Sequence, residues 1–534
     1  MRNSKRMRLK TVRSILAQKV SPISLSVLLL AGCVLFVSGL AHGAAPAPMY
    51  GGTLRVSTYT DGTAIGYPPD SYRGPVLGMA QAFPAIETLF RYDKEGRPVP
   101  WLAAKVEEDV KKKTLVITVR QGVKFHDGTD FNAEAVKWNI EQHLAAKSPG
   151  TDKLRSIDLV DDYTVRINLL EWDNRMTSSL AVQLGMMVSP TAFKKNGKDW
   201  AAKHPIGTGP FEFVSWERDV RTTYKKFSGY WQKGKPYLDR IEWLPIGEAF
   251  TRQTALRNGE VDVVLFPAAS EIASFEREGF VVTRHKAGSG ARGGVFDSAN
   301  PKSPFANLKV RQAAQYAIDS AAIVKGIFYG EADPANQFAY KGHWGYNPSV
   351  IGYPYNPTKA KQLLAEAGFP NGFKTSLLCR AFPADLQLFT AVQGFFGAIG
   401  IDAQVEPLET LRYNQRALGG GGWEGIIEDV MSADLELPGF LADRYAGKPG
   451  FFNSMVVPDD YKKAIENAIT APDFKQKQDW TREALRLMTD KYCLLLPLAK
   501  DYDVVITGRS VRDTRFYEFL GPTHWTPEDA WLQR

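Results

Sequence analysis

Only one stretch of this 534-residue chain, Ile23 to Ala41, is both apolar enough and long enough to cross a bilayer. It stands directly behind Arg2, Lys5, Arg6, Arg8, Lys10, Arg13 and Lys19, with no acidic residue before it. A small-residue run, Ala41-His42-Gly43-Ala44-Ala45, follows it. Basic, apolar and small residues in that order read as a secretory signal peptide, residues 1–43, with cleavage after Gly43. Leu30-Ala31-Gly32-Cys33 offers a second route, because it resembles the lipobox of bacterial lipoproteins with Cys33 as the acylated residue. Against that route, Val34-Leu35-Phe36-Val37 continues the apolar run where a polar tether belongs. An uncleaved anchor is the third reading. The expectation is therefore a periplasmic protein, or one lipid-anchored through Cys33, whose remaining chain folds in water.

The chain has the make-up of an ordinary globular protein, at 44% hydrophobic and 23% charged. Its formal charge of +8 is a property of the leader. Removing the seven leading cations leaves 59 basic against 58 acidic side chains, and no local basic stripe appears. A nucleic-acid partner is not expected from such a chain. Beyond Cys33 only Cys379 and Cys493 remain, each in an apolar run that reads as a strand, where a free cysteine acts as a small buried hydrophobe.

Local signals describe a mixed α/β chain without a strict βαβ rhythm. Thr114 to Arg120 and Asp158 to Leu170 read as β-branched strands, the second with a turn at Asp161-Asp162. Asn132 caps a helix with Ala133, Val136, Ile140 and Leu144 inward. In the second half, Asn307 precedes the stripe Val310, Ala313, Ala314, Ala317 and Ile318. Asn356-Pro357 opens a helix that Gly368 closes, and Leu388, Val392, Phe395, Phe396 and Ile399 mark a third helix ended by Gly400.

Catalytic signatures are missing. No two of His126, His143, His204, His285, His343 and His524 lie within five residues of each other, so the spacings of helix-borne zinc sites are absent. Gly288-Ser289-Gly290-Ala291-Arg292-Gly293 has the letters of a dinucleotide fingerprint. Val295-Phe296-Asp297 and a proline-bearing loop follow where that motif needs a helix N-terminus. It reads as a flexible connection, and neither an enzyme nor a cofactor is expected.

Four ordered stretches carry a resemblance. They are Leu115 to Asp130 ending in Lys124-Phe125-His126-Asp127-Gly128; Pro205-Ile206-Gly207-Thr208-Gly209-Pro210-Phe211 with Gly229-Tyr230-Trp231 downstream; Val310-Arg311-Gln312-Ala313 with Ala317-Ile318-Asp319; and Tyr355-Asn356-Pro357 with Leu363-Leu364 and Ala367-Gly368. Over about residues 50 to 515 the chain resembles the solute-binding proteins of the peptide/nickel/opine class, family 5 of the bacterial ABC-importer receptors. The resemblance implies a bilobal, type II-like periplasmic-binding-protein fold with an extra subdomain in the first lobe. The first lobe is then 44–93, 205–287 and 495–534, the extra subdomain 94–204 and the second lobe 288–494, with the hinge at Gly288 to Gly294 and Tyr492 to Lys500. It also implies a monomer without catalysis, which takes a small peptide or peptide-like solute to a membrane permease. Its rivals are an opine, oligosaccharide or metal-chelate ligand, an exported hydrolase, and an envelope chaperone or adhesin.

Site residues follow by the same resemblance. Ala433-Asp434-Leu435 matches the run whose Asp pairs with a ligand ammonium, with Leu435 in place of the usual aromatic. Arg380-Ala381-Phe382-Pro383 matches the run whose Arg pairs with a ligand carboxylate. Trp423, Tyr340, Trp344 and Tyr346 are candidate pocket walls, because ligand pockets are mostly apolar. Thr60 to Tyr67 departs from relatives in lacking a Leu-Asp-Pro, and Gly419 to Gly422 is a loose approach to Trp423.

Overall fold

The computed structural model describes residues 47–71, 77–94, 96–148, 150–286, 291–431, 436–448, 450–516 and 525–534. The leader, Cys33, Gly288 to Gly290, Asp434 and His524 lie outside them.

Two large sheets organise the rest. The first holds seven strands in the order Val281–His285, Asp503–Thr507, Val263–Leu265, Thr53–Thr58, Arg240–Pro245, Arg221–Lys226 and Phe211–Glu217. Its centre is parallel, with Thr53–Thr58 between Arg240–Pro245 and Val263–Leu265. Leu54 and Val56 alternate into a core with Trp243, Tyr224 and Phe211. The chain's end joins this lobe: Trp525 is buried in the same core, and its indole donates to the Ala80 carbonyl at 3.2 Å.

The second sheet runs Ala332–Pro334, Leu495–Asp501, Ala291–Phe296, Ile426–Met431, Lys374–Arg380 and Asp402–Leu408, with the last three strands parallel. Helices cover both of its faces. On one face lie the helices that the sequence periodicity marks. Val310, Ala313 and Ala314, Ala360, Leu363 and Leu364, and Leu388, Val392 and Phe396 share one core. Asn307 and Asn356 accept from Lys309 and Lys359 amides as N-caps, and Gly368 and Gly400 take positive φ at the ends. On the other face Leu437–Tyr445, Asp459–Thr470 and Phe474–Arg486 form a second core. Cys379 and Cys493 are buried and unpaired.

The crossover positions correct the sequence boundaries. Leu495–Asp501 pairs with Ala291–Phe296 and Ala332–Pro334, so it is a central strand of the second sheet. Only Tyr502 separates it from Asp503–Thr507 of the first. Against the assignment of 495–501 to the first lobe, that run therefore pairs in the second sheet, and the chain passes from one sheet to the other at Tyr502 and not over Tyr492 to Lys500. An apolar run buried on both faces belongs inside a sheet. Likewise Ala291 to Gly294 is strand, not loose connection: a Cβ on Gly294 would meet Ile426 Cγ2 at 2.5 Å, so glycine there permits close strand packing.

A four-stranded antiparallel sheet, Ala103–Asp109, Thr114–Val119, Thr164–Leu169 and Leu154–Asp161, builds the extra subdomain with helix Ala133–Ala145. Asn132 caps that helix through the Ala135 amide at 3.0 Å. Glu87, fully buried, ties the subdomain to the first lobe. Its carboxylate accepts from Trp101 Nε1 at 2.8 Å, Tyr230 OH at 2.9 Å, Trp231 Nε1 at 3.0 Å and Thr208 Oγ1 at 2.9 Å. Arg91 stacks on Trp101 and pairs with Glu528 at 2.6 Å, which adds the chain's end to the same junction.

In the subdomain helix His143 is buried with Nδ1 3.0 Å from Ser148 Oγ, and burial pushes the imidazole down to about 4. Its unfolded counterpart protonates near pH 6.5, so between those values the unfolded chain binds the extra proton. Stability must then fall as pH falls from about 6.5 to 4, by up to about 3 kcal/mol. Urea unfolding of the parent and His143→Gln at pH 7.5 and 4.5 checks this. The parent is expected to lose more on acidification than the variant.

Candidate functional site

In α/β sheets a ligand crevice forms outside the carboxyl ends of the parallel strands. In the first lobe those ends are Thr58, Pro245 and Leu265. Buried Arg252 ties the segments that follow, donating to the carbonyls of Ile246 at 2.6 Å, Gly247 at 3.0 Å and Phe266 at 3.1 Å. Tyr59, half exposed, sets its ring edge-on to Phe266 with centroids 5.5 Å apart. Burial raises its phenol, and the charges of Arg252 and of Arg380, from the second lobe, oppose the rise. Tyr59 therefore stands within electrostatic reach of both lobes.

In the second lobe Arg380 is the last residue of its parallel strand. Its Nη2 lies 2.7 Å from Asp385 and 3.2 Å from Glu428, and its backbone N–H donates to Glu428 Oε2 at 2.9 Å. Asp385 sits in the first turn of helix Pro383–Ala398, where the helix dipole favours a carboxylate. Its other oxygen takes Arg292 Nη1 at 3.1 Å, and Arg292 Nε reaches Asp501 at 3.1 Å. On the neighbouring strand Asp429 pairs with Arg444 at 2.9 Å and accepts from Tyr445 OH. Tyr413 OH donates to the Glu428 carbonyl at 2.8 Å.

The layering of this cluster matters. Asp385 and Glu428 are 4% and 1% exposed, whereas the side chains of Arg380 and Arg292 are 25% and 23% exposed. Partly exposed arginine side chains thus lie over buried carboxylates. Desolvation raises Glu428 to about 7, with Arg380 opposing and Asp385 adding to the rise. Nearby, Lys500 is buried with its ammonium on the Ala339 carbonyl, and burial lowers it to about 7. A ligand carboxylate arriving at Arg380 shares that cation with two internal acids. A ligand donor finds the same acids too deep to reach directly.

The aromatic candidates lie elsewhere. Trp423 precedes the strand Ile426–Met431 at its amino end, is 3% exposed and donates its indole N–H to the Val295 carbonyl at 3.2 Å. Trp344 packs on Phe474 and His343, and Tyr346 lies against the same core. Tyr340 is buried, and its ring joins the core of the extra subdomain. Asp434 lies outside the described residues. The structure therefore brings Arg380 together with Arg292, Asp385, Glu428 and Asp501, none of which sequence reasoning selected. The available signal was the adjacent pair Glu428-Asp429 inside an apolar strand, since buried acids demand counter-charges. Among the described residues no three His, Cys, Asp or Glu side chains are placed to hold a metal ion, and no helix is long and apolar enough to cross a membrane.

Comparison with known proteins agrees with this architecture. The chain is 35% identical over 342 residues to the glutathione-binding protein GsiB of Shigella flexneri, covering 62% of this chain and 65% of that one. DppA of Helicobacter pylori, solved in complex with the peptide STSA, is 25% identical with a TM-score of 0.74, covering 91% of this chain and 99% of that one. NikA of Brucella suis, solved with Fe(III)-EDTA, is 19% identical with a TM-score of 0.79, covering 90% and 100%, and so shares the fold. The model of the bacterial extracellular solute-binding proteins, family 5, matches residues 97–448. Two α/β lobes, between which the chain passes at Tyr502, with that match spanning most of the described chain, show that the protein belongs to the bacterial extracellular solute-binding proteins, family 5.

Proposed function

We propose that the chain is the extracytoplasmic receptor of an ABC importer, capturing a small peptide or peptide-like solute between its lobes and delivering it to a membrane permease. The observation that carries the reading is Arg380, which ends a parallel strand with its side chain partly exposed and its guanidinium paired to buried Asp385 and Glu428. It is a cation held in place before any ligand arrives, and such preorganisation lowers the cost of binding. The relative GsiB is named for glutathione, itself a peptide, and DppA was solved with a peptide. In this reading Arg380 takes the solute's carboxylate and Asp434 its ammonium. The first lobe comprises 44–93, 205–286 and 503–534, the extra subdomain 94–204 and the second lobe 291–501. Residues 1–43 serve as the export signal. Catalysis plays no part, and the receptor acts as a monomer.

Native mass spectrometry of protein purified without refolding, followed by calorimetric titration with glutathione, a free tetrapeptide and its amidated form, tests the reading. Expected are a carried peptide-like mass or peptide binding, with the amidated form weaker. A carried sugar, opine or chelate mass, with no peptide bound, would move the ligand to the non-peptide class. Turnover of a peptide would overturn the receptor reading itself.

A further inference from the structure

The extra subdomain touches the second lobe at a point remote in sequence. Asn174 Nδ2 donates to the carbonyls of Ala468 at 2.9 Å and Ala471 at 3.0 Å, and its backbone N–H to that of Ile469 at 3.2 Å. Trp172 Nε1 adds a bond to the Ala471 carbonyl at 3.3 Å. These acceptors are the last carbonyls of helix Asp459–Thr470 and its C-cap, groups that a helix cannot satisfy from within. The helix has no glycine at its end: Ala471 is extended and Pro472 follows. Its carboxyl end is therefore capped by another part of the molecule.

The two sides belong to different cores. Trp172 packs in the subdomain core, while Tyr461, Ala464 and Ile465 of the capped helix pack in the second lobe. The subdomain, in turn, is fastened to the first lobe by Glu87 and by His126 Nε2 against the Gly209 carbonyl at 2.9 Å. Two further contacts cross at the same junction. Arg175, clamped by Asp173, lies so close under helix Leu437–Tyr445 that a Cβ on Gly439 would meet its Cδ at 2.7 Å. Tyr340 of the second lobe enters the subdomain core. Rotation of the second lobe away from the first, where the chain passes between them at Tyr502, separates subdomain and second lobe and breaks this set together.

We propose that Asn174 is a positioning residue of capture: it caps the second-lobe helix Asp459–Thr470 only when the lobes are together, so the extra subdomain acts as a catch on the closed receptor. Contacts present in one state alone bias the equilibrium toward it, and they lower ligand escape without touching the ligand. The consequence for capture rests on the receptor reading, whereas the catch itself does not.

Two variants of the full chain test the catch without a ligand. In Asn174→Cys with Ala471→Cys, a short bismaleimide is expected to join the two positions, and small-angle scattering to give a smaller radius of gyration for the joined chain than for the unjoined one. In Asn174→Asp the side chain cannot donate and places negative charge against a helix carboxyl end. This variant is expected to scatter like the unjoined chain with an unchanged melting temperature. Failure of the two positions to join, or one radius for all three samples, would overturn the catch. With glutathione as probe, dissociation from Asn174→Asp is expected to be on the order of tenfold faster than from the parent. If the parent binds no peptide while the radii differ, the peptide reading falls and the catch stands. Equal dissociation rates would sever the catch from capture.

Discussion

Replacing Arg380 by methionine is expected to destabilise the protein by about 3 to 5 kcal/mol at pH 7.5, the range for removing one partner of a buried pair. Glu428 loses its only cation within 4 Å among the described residues, and Asp385 keeps Arg292 alone. The penalty carries a pH signature. Glu428 holds its proton to about 7 when folded and to the ordinary carboxylate range when unfolded. The folded state thus binds the extra proton between those values, and protonation there relieves the stranded charge. Urea unfolding at pH 7.5 and 5 should show the gap between parent and variant narrowing on acidification. An equal gap at both values would mean that lost packing, not charge, sets the cost. The same variant is expected to lose any preference for a free-carboxylate ligand over its amide.

A larger loss is expected for Glu87→Ala. Four donors, from Trp101, Tyr230, Trp231 and Thr208, converge on one fully buried carboxylate. Truncation strands all four, and each buried unsatisfied group costs about 1 to 3 kcal/mol, so a loss of at least about 4 kcal/mol follows. Glu87→Gln retains one acceptor oxygen and should lose less. Because Trp101 belongs to the extra subdomain and Thr208 and Tyr230 to the first lobe, the alanine variant should also free the subdomain to unfold first. Hydrogen exchange over 103–169 reads that directly. Protection that falls uniformly across the chain would show that the junction does not govern the subdomain separately.

What the amino-acid sequence by itself determined is local. The caps Asn132, Asn307 and Asn356, the closing glycines Gly368 and Gly400, and the apolar stripes between them mark helices whose ends the structure keeps. Such signals act within one or two turns, so no distant residue can overrule them cheaply. The order of the four motifs likewise marked the family that the comparison shows. Arg380 was legible as a candidate through its run with Phe382 and Pro383.

Only the tertiary structure decided its partners. Glu428 lies 48 residues from Arg380 in sequence, and Asn174 nearly 300 from the helix end that it caps. No local spacing encodes either meeting. Trp423 shows the converse: an aromatic residue beside a glycine run looks like a pocket wall, yet the strand it precedes carries it to the amino end of the sheet and into the core. The strand Leu495–Asp501 is the sharpest case, because an apolar run suits the interior of either sheet. Its pairing with Ala291–Phe296 places the crossover at Tyr502. Side-chain chemistry specifies what a segment can be, and long-range pairing, whose entropy cost is met by the whole core, specifies where it goes.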